Sequence, residues 1–249
     1  MLKVVIMGAS GMVGGYALRS LLEDPSVERV TAIGRKPLGV SDAKLTEVLH
    51  RDFANCADLA TTVEGHDAVV YCLGTYTGAV TNNELRAITL DYTVEFARVL
   101  QIGCPNVSVS FLSGNGADPS GKSRVAYARY KGAAENALLE AGFPHVYLFR
   151  PAYIYPVVPR KEPTFAYRLL RWVYPAFRIV FPNLVIRADD LGRVMVDVAL
   201  RGAAGHEDPV FENRDIRALA SARTGSPALA QHQGADHGHD NSTERTTAL

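Results

Sequence analysis

Tyr127 and Lys131 are the two side chains whose types and spacing most directly permit chemistry. Four residues apart on a helix they share a face, and an ammonium there draws a phenol down from its reference pKa near ~10 toward neutrality. Such a phenol can give or take a proton at working pH. Ser113 follows the apolar stretch 107–112, where its hydroxyl is placed to hydrogen-bond a substrate carbonyl while a bound carrier supplies hydride. A second chemistry competes in the same region, because residues 116–123 fit G-x-x-x-x-G-K-S, the loop that wraps nucleotide phosphates. Against it, no apolar strand of the chain ends in an Asp for magnesium, and the loop starts several residues past its strand.

Positioning such side chains requires a fold, and the start of the chain indicates one. The run Leu2-Lys3-Val4-Val5-Ile6-Met7 breaks into Gly8-Ala9-Ser10-Gly11-Met12-Val13-Gly14, a buried strand entering a helix through glycines. Gly8 permits the turn, Gly11 lets the backbone approach a pyrophosphate, and Gly14 lets the helix pack on the strand. Unpaired N–H groups at that helix start, helped by the helix dipole, hold phosphate oxygens. About twenty residues beyond the glycines a dinucleotide site usually carries an acid for the ribose hydroxyls, and here stand Gly34-Arg35-Lys36. Arg35 can fork onto a 2′-phosphate and Lys36 adds charge, so the expected cofactor is NADP(H).

Strands at 45–49 and 68–73 bring Asp52 and Phe53 toward the adenine and Gly74 close to the ribose, with Asp52 equally a candidate helix cap. A helix over 83–101, strands at 107–112 and 145–150, a helix over 189–201, a short strand at 210–211 and a last turn capped by Asn213 continue the pattern. Alternation of strand and helix predicts an α/β fold, a doubly wound parallel Rossmann sheet with right-handed crossovers. Pro156, Pro159 and Pro163 predict a stiff, irregular rim after the sixth strand. The aromatic and arginine-rich segment 165–186 reads as a substrate lid, a homodimer face or a peripheral membrane contact.

Taken together, these motifs give a chain that resembles the atypical short-chain dehydrogenases/reductases, in the branch typified by Tat-interacting protein. The likeness covers roughly residues 3–220 and rests on Gly8-Ala9-Ser10-Gly11 with Gly14, Ile33-Gly34-Arg35-Lys36, Cys72-Leu73-Gly74-Thr75, Leu112-Ser113 with Gly116-Ala117-Asp118, Tyr127 with Lys131, and Phe149-Arg150-Pro151. It implies an NADPH-binding Rossmann domain with Ser10, Gly11, Met12 and Val13 at the pyrophosphate, Arg35 and Lys36 at the 2′-phosphate, and Leu73 and Gly74 along the adenosine half. Tyr127 is then the acid/base, and Lys131 its partner at the nicotinamide ribose. One departure stands out: relatives often have paired serines after the fifth strand, and this chain reads Ser113-Gly114-Asn115, which leaves Ser113 and Asn115 as alternatives for the third catalytic position.

Composition bounds the rest. With 249 residues and 47% hydrophobic content the chain can bury one large core, expected over 1–221 with a substrate or lid region at about 151–187. Lys and Arg number 26, as do Asp and Glu, so no overall charge draws the chain to nucleic acid. Cys56, Cys72 and Cys104 lack metal spacing, and with no signal-peptide pattern the expected location is the cytoplasm. No apolar run reaches the ~20 residues of a membrane-spanning helix. Residues 222–249 have the composition of a disordered tail, whose sparse histidines are not expected to form a metal site. The leading expectation is an NADPH-dependent reductase of a small carbonyl substrate, the alternative a dinucleotide-binding regulatory module acting through a protein partner, and the third a triphosphate site at 116–123.

Overall fold

The computed structural model describes residues 1–75, 78–158, 182–203 and 205–224. The expectations for 165–181, for the proline rim beyond 158 and for the tail from 225 onward lie outside these residues. The strands are β1 (Leu2–Met7), β2 (Val27–Gly34), β3 (Leu45–Leu49), β4 (Ala68–Tyr71), β5 (Ser108–Leu112), β6 (His145–Arg150), β7 (Tyr153–Tyr155), β8 (Val185–Arg187) and β9 (Val210–Glu212). Seven form one sheet in the order β3-β2-β1-β4-β5-β6-β9, and every pairing in it is parallel. This is the doubly wound Rossmann arrangement, with the chain reversing its winding direction between β1 and β4.

Because side chains alternate across a strand, each continuous apolar run feeds two cores at once. Val4, Ile6, Val70 and Phe149 pack with α1 (Met12–Glu23), α6 (Ala188–Arg201) and α7 (Asn213–Thr224), while Val5, Met7, Val69, Tyr71 and Phe111 pack with α4 (Tyr92–Gly103) and α5 (Ala126–Glu140). Gly192 lets α6 lie directly on α1, since a Cβ there would stand 2.9 Å from the Ala17 nitrogen and 3.0 Å from the Val13 carbonyl. Among the described residues no helix is long and apolar enough to cross a membrane.

Four local expectations change. The single helix over 83–101 is instead α3 (Asn82–Arg86), a π-helical stretch Ala87–Asp91 and then α4, entered through a capping box between Thr81 and Glu84. Apolar spacing cannot distinguish one wide turn from regular ones. Residues 153–155 are not irregular, because β7 pairs in parallel with β8 through Tyr153↔Val185, Ile154↔Ile186 and Tyr155↔Arg187. Asn213 is buried and serves that small sheet, its Oδ1 accepting from the Ala152 N–H at 3.1 Å and its Nδ2 donating to the Val185 carbonyl at 3.2 Å. It begins a helix that runs to Thr224 rather than a single turn, and the short helical segment Ala57–Leu59 with α2 (Ala60–Val63) is an addition.

Candidate active site

The carboxyl ends of β1, β4, β5 and β6 meet along one edge of the sheet, where a doubly wound fold places its ligand crevice. At β1 the chain turns through Gly8 at φ +79°, and a Cβ there would stand 2.7 Å from the Cys72 carbonyl carbon. No other residue type fits that approach. A Cβ on Gly14 would overlap the Gly8 carbonyl, so α1 can start this close to its strand only with glycine. Gly11 donates its N–H to the Gly8 carbonyl at 2.8 Å, and its extended backbone precedes a helix with no side-chain cap and no acid in its first turn. Among the described residues no side chain competes with a phosphate for the N–H groups of Met12 and Val13 at this helix start, so the chain fits a dinucleotide pyrophosphate. Ser10 is exposed, Met12 half-buried, and Val13 puts its side chain in the core.

Arg35 and Lys36 stand exposed just past β2, and neither pairs with a carboxylate among the described residues. Asp52 is exposed and its Oδ1 accepts from the Ala54 N–H at 3.1 Å within its own loop; it is not a helix cap, since the next helical segment begins at Ala57 behind Cys56 with no side-chain cap. Phe53 lies in the core beside His50 and Tyr92, so its ring backs the site and does not face it. Leu73 is half-buried, and Gly74 has nothing within 4 Å of where a Cβ would stand, which leaves open space at the end of β4.

The turn after β5 departs most from the sequence reading. Ser113 is only 4% exposed, and its hydroxyl donates to Glu135 Oε1 at 2.5 Å, away from the crevice. Its N–H is fixed as well, donating to the Phe149 carbonyl at 2.8 Å. Glu135 is fully buried, with Arg150 clamping it from both nitrogens, Nε to Oε1 at 2.9 Å and Nη2 to Oε2 at 2.6 Å. Arg150 reaches on to Glu212 at 3.4 Å. Glu135 has no place in the motifs read from the sequence and Arg150 enters them only within Phe149-Arg150-Pro151, although a Glu four residues past Lys131 and an Arg closing an apolar strand were signals for a buried pair.

Tyr127 faces the next residue of the turn. A Cβ on Gly114 would stand 2.5 Å from the Tyr127 hydroxyl, so the phenol lies over bare backbone. Lys131, one turn along α5, is 4% exposed, and its Nζ donates to the Leu112 carbonyl at 2.7 Å while lying 4.7 Å from the centre of the Phe111 ring. Burial pushes its pKa down to about 8, with the Glu135 carboxylate pulling the other way. Cys72, Cys56 and Cys104 are buried free thiols; burial pushes the first two up to about 12 and the third up to about 11, which keeps them protonated and unreactive.

The loop at 116–123 folds around its own acid. Asp118 Oδ1 accepts from the Ser120 hydroxyl at 2.6 Å and the Ser120 N–H at 3.0 Å, and Oδ2 from the Ser123 N–H at 2.5 Å. The Ser120 hydroxyl, then the N–H groups of Ser123, Ser120 and Lys122, hold this carboxyl below its ordinary pKa. The helix begins only at Ala126, so the N–H groups of Ser120, Lys122 and Ser123 serve Asp118 and no helix terminus follows the loop directly.

Comparison with known proteins agrees with the glycine loop. Residues 8–199 match the family described as NAD(P)H-binding. The chain belongs to that family. It is 29% identical over 215 residues to the fmp52 protein of Emericella nidulans, covering 82% of this chain and 90% of that one. To rat HTATIP2 it is 31% identical over 152 residues, 60% of this chain and 61% of the rat protein. A short-chain dehydrogenase/reductase of Saccharomyces cerevisiae has the same fold at a TM-score of 0.63, with 16% identity, covering 89% of this chain and 99% of that one. The fungal fmp52 relatives, from Emericella nidulans to Saccharomyces cerevisiae, are mitochondrial by name, which overturns the cytoplasmic expectation. Reduced thiols argue against an oxidising compartment and do not choose among reducing ones.

Proposed function

We propose that the protein is an NADP(H)-dependent oxidoreductase of a small carbonyl substrate, with Tyr127 as its acid/base and Lys131 as the partner of that phenol. The observation that carries this reading is the seat of the Tyr127 hydroxyl over Gly114, just past the carboxyl end of β5 and at the same sheet edge as the glycine loop. Ser10, Gly11, Met12 and Val13 would border the pyrophosphate, with the N–H groups of Met12 and Val13 holding it while that of Gly11 stays on the Gly8 carbonyl, Arg35 and Lys36 would hold the 2′-phosphate, and Leu73 and Gly74 would border the adenosine. Bound there, the dinucleotide supplies hydride. Tyr127 donates its proton to the substrate oxygen, and the Lys131 charge favours the phenolate left behind. In this reading residues 1–221 are the dinucleotide domain, with 151–187 on the substrate side. The similarity to rat HTATIP2 supports placing the chain in the Tat-interacting-protein branch.

Tyr127→Phe keeps the ring and loses the proton, so NADPH-dependent carbonyl reduction should slow by about 10²–10⁴ while NADPH affinity holds. An equally fast Phe variant would remove the acid/base assignment. Tight NADPH binding without turnover of any carbonyl would favour the regulatory module instead. For the cofactor, fluorescence titration should show NADPH bound about 10-fold or more tighter than NADH, a margin lost in Arg35→Ala with Lys36→Ala. Equal affinities in the unmodified protein would refute the NADP(H) preference.

A further inference from the structure

Three consecutive residues after β5 point to three different places. Ser113 turns inward to Glu135, Gly114 meets the Tyr127 hydroxyl, and Asn115 is exposed, its N–H donating to the Pro151 carbonyl at 2.9 Å. A serine has one proton to donate, and that of Ser113 is committed to a carboxylate with no access to water. Releasing it to a ligand would leave a Glu135 lone pair buried and unmet, and the N–H bond from Ser113 to Phe149 keeps the turn from swinging to compensate. Gly114, the position in register with the phenol, carries no side chain at all.

We propose that, with Ser113 committed, Gly114 bare and Asn115 facing solvent, Tyr127 is the one side-chain donor to the substrate oxygen among the described residues, and that this restricts the site to activated carbonyls, of which α-dicarbonyls are the simplest class. The inference rests on the oxidoreductase reading and narrows it. Hydride brings both electrons from the reduced dinucleotide to the carbonyl carbon, leaving the dinucleotide oxidised. As the C–H bond forms and the C=O π bond breaks, the oxygen takes the Tyr127 proton and the phenolate recovers one from water. Removing one donor from a developing oxyanion costs about 10²–10³ in kcat. A plain ketone, whose alkoxide is strongly basic, bears that loss in full. In an α-dicarbonyl the neighbouring carbonyl withdraws electron density through the intervening carbon and makes the nascent alkoxide less basic, so this substrate bears much less of it.

The test compares 1-phenyl-1,2-propanedione with propiophenone, two substrates that differ by one carbonyl, using the full chain and NADPH. The unmodified protein should favour the diketone in kcat/KM by about 10² or more. Ser113→Ala and Asn115→Ala should each leave the diketone kcat within about threefold and that preference unchanged, a ratio that mere loosening of the turn would not hold constant. Comparable turnover of both ketones, or a loss of about 10² in kcat in either variant, overturns the proposal while leaving the oxidoreductase reading intact. Should Ser113→Ala fail to fold, the ratio in the unmodified protein and the Asn115→Ala result decide. Failure to reduce either ketone or any aldehyde, with NADPH bound, overturns both readings together.

Discussion

Two glycine-rich loops of this chain, at 8–14 and at 116–123, both match phosphate-loop patterns in the sequence and are built for opposite ends. In the first, glycines are imposed by packing: the backbone of Cys72 and Leu73 leaves Gly8 no room for a side chain, and Gly8 in turn leaves none for Gly14. In the second, Gly116 at φ +78° and Gly121 at φ +70° turn in open space, with nothing within 4 Å of an added Cβ. The first leads straight into a helix without a competing acid, whereas the second carries Asp118, which takes its N–H groups for itself. A glycine motif therefore marks a phosphate site when the glycines are needed for close approach and the N–H groups are left over.

The largest effect that probes this contrast comes from adding one methyl to each loop. Gly14→Ala forces its Cβ into the Gly8 carbonyl and should cost about 3 kcal/mol of stability by urea denaturation. Gly121→Ala pays only for a left-handed backbone, about 1 kcal/mol, and should leave NAD(P)H titration unchanged. Equal costs would erase the distinction between the loops.

Between these loops and α5 lies a second contrast, backbone donors against a buried charge. Lys131 has its pKa pushed from 10.5 down to about 8 by burial. Across that window the unfolded chain holds the extra proton, so stability rises with pH there and the penalty is present in full below it. Lys131→Met should consequently stabilise the fold by roughly 1–2 kcal/mol at neutral pH, after allowing for the lost bond to the Leu112 carbonyl, while abolishing carbonyl reduction. Its advantage should shrink as pH passes about 8. Urea titrations at pH 7 and 9 measure this, and a Met variant weaker than the unmodified chain at pH 7 would show the buried ammonium to be a net support.

How much of this was legible in the sequence follows from which forces act locally. The order of β1 to β6, the glycine loop and the lone position of Arg35 and Lys36 follow from apolar runs and turn chemistry, which depend on near neighbours. What escaped depends on contacts distant in sequence. Ser113 and Glu135 are 22 residues apart, Ala152 and Asn213 61 apart, and no periodicity foretells that either pair will meet. Phe53 shows the same limit from the other side: an aromatic at the right strand end reads as a ligand contact until the packing of Tyr92 claims it. The pairing of β7 with β8 was hidden because its two halves lie on either side of residues 156–184.

The smallest expected effect returns to the second loop. In a triphosphate site the Lys of G-K-S supplies charge to the phosphates, and its loss abolishes binding; here Lys122 is exposed four residues before the helix begins, and only its backbone N–H takes part, toward Asp118. Lys122→Ala should thus change stability by no more than about 0.5 kcal/mol and leave NADPH affinity as it was. ATP with magnesium should bind neither the unmodified chain nor the variant at this loop. Asp118→Ala supplies the control, since it empties the nest and leaves the N–H groups of Ser120 and Ser123 to water. That change should loosen the loop and make it more accessible to protease, still without ATP affinity, because no helix terminus stands behind those groups. Magnesium-dependent ATP binding that disappears in Lys122→Ala would mean that Asp118 yields its place to a phosphate, and the two loops would then be alike after all.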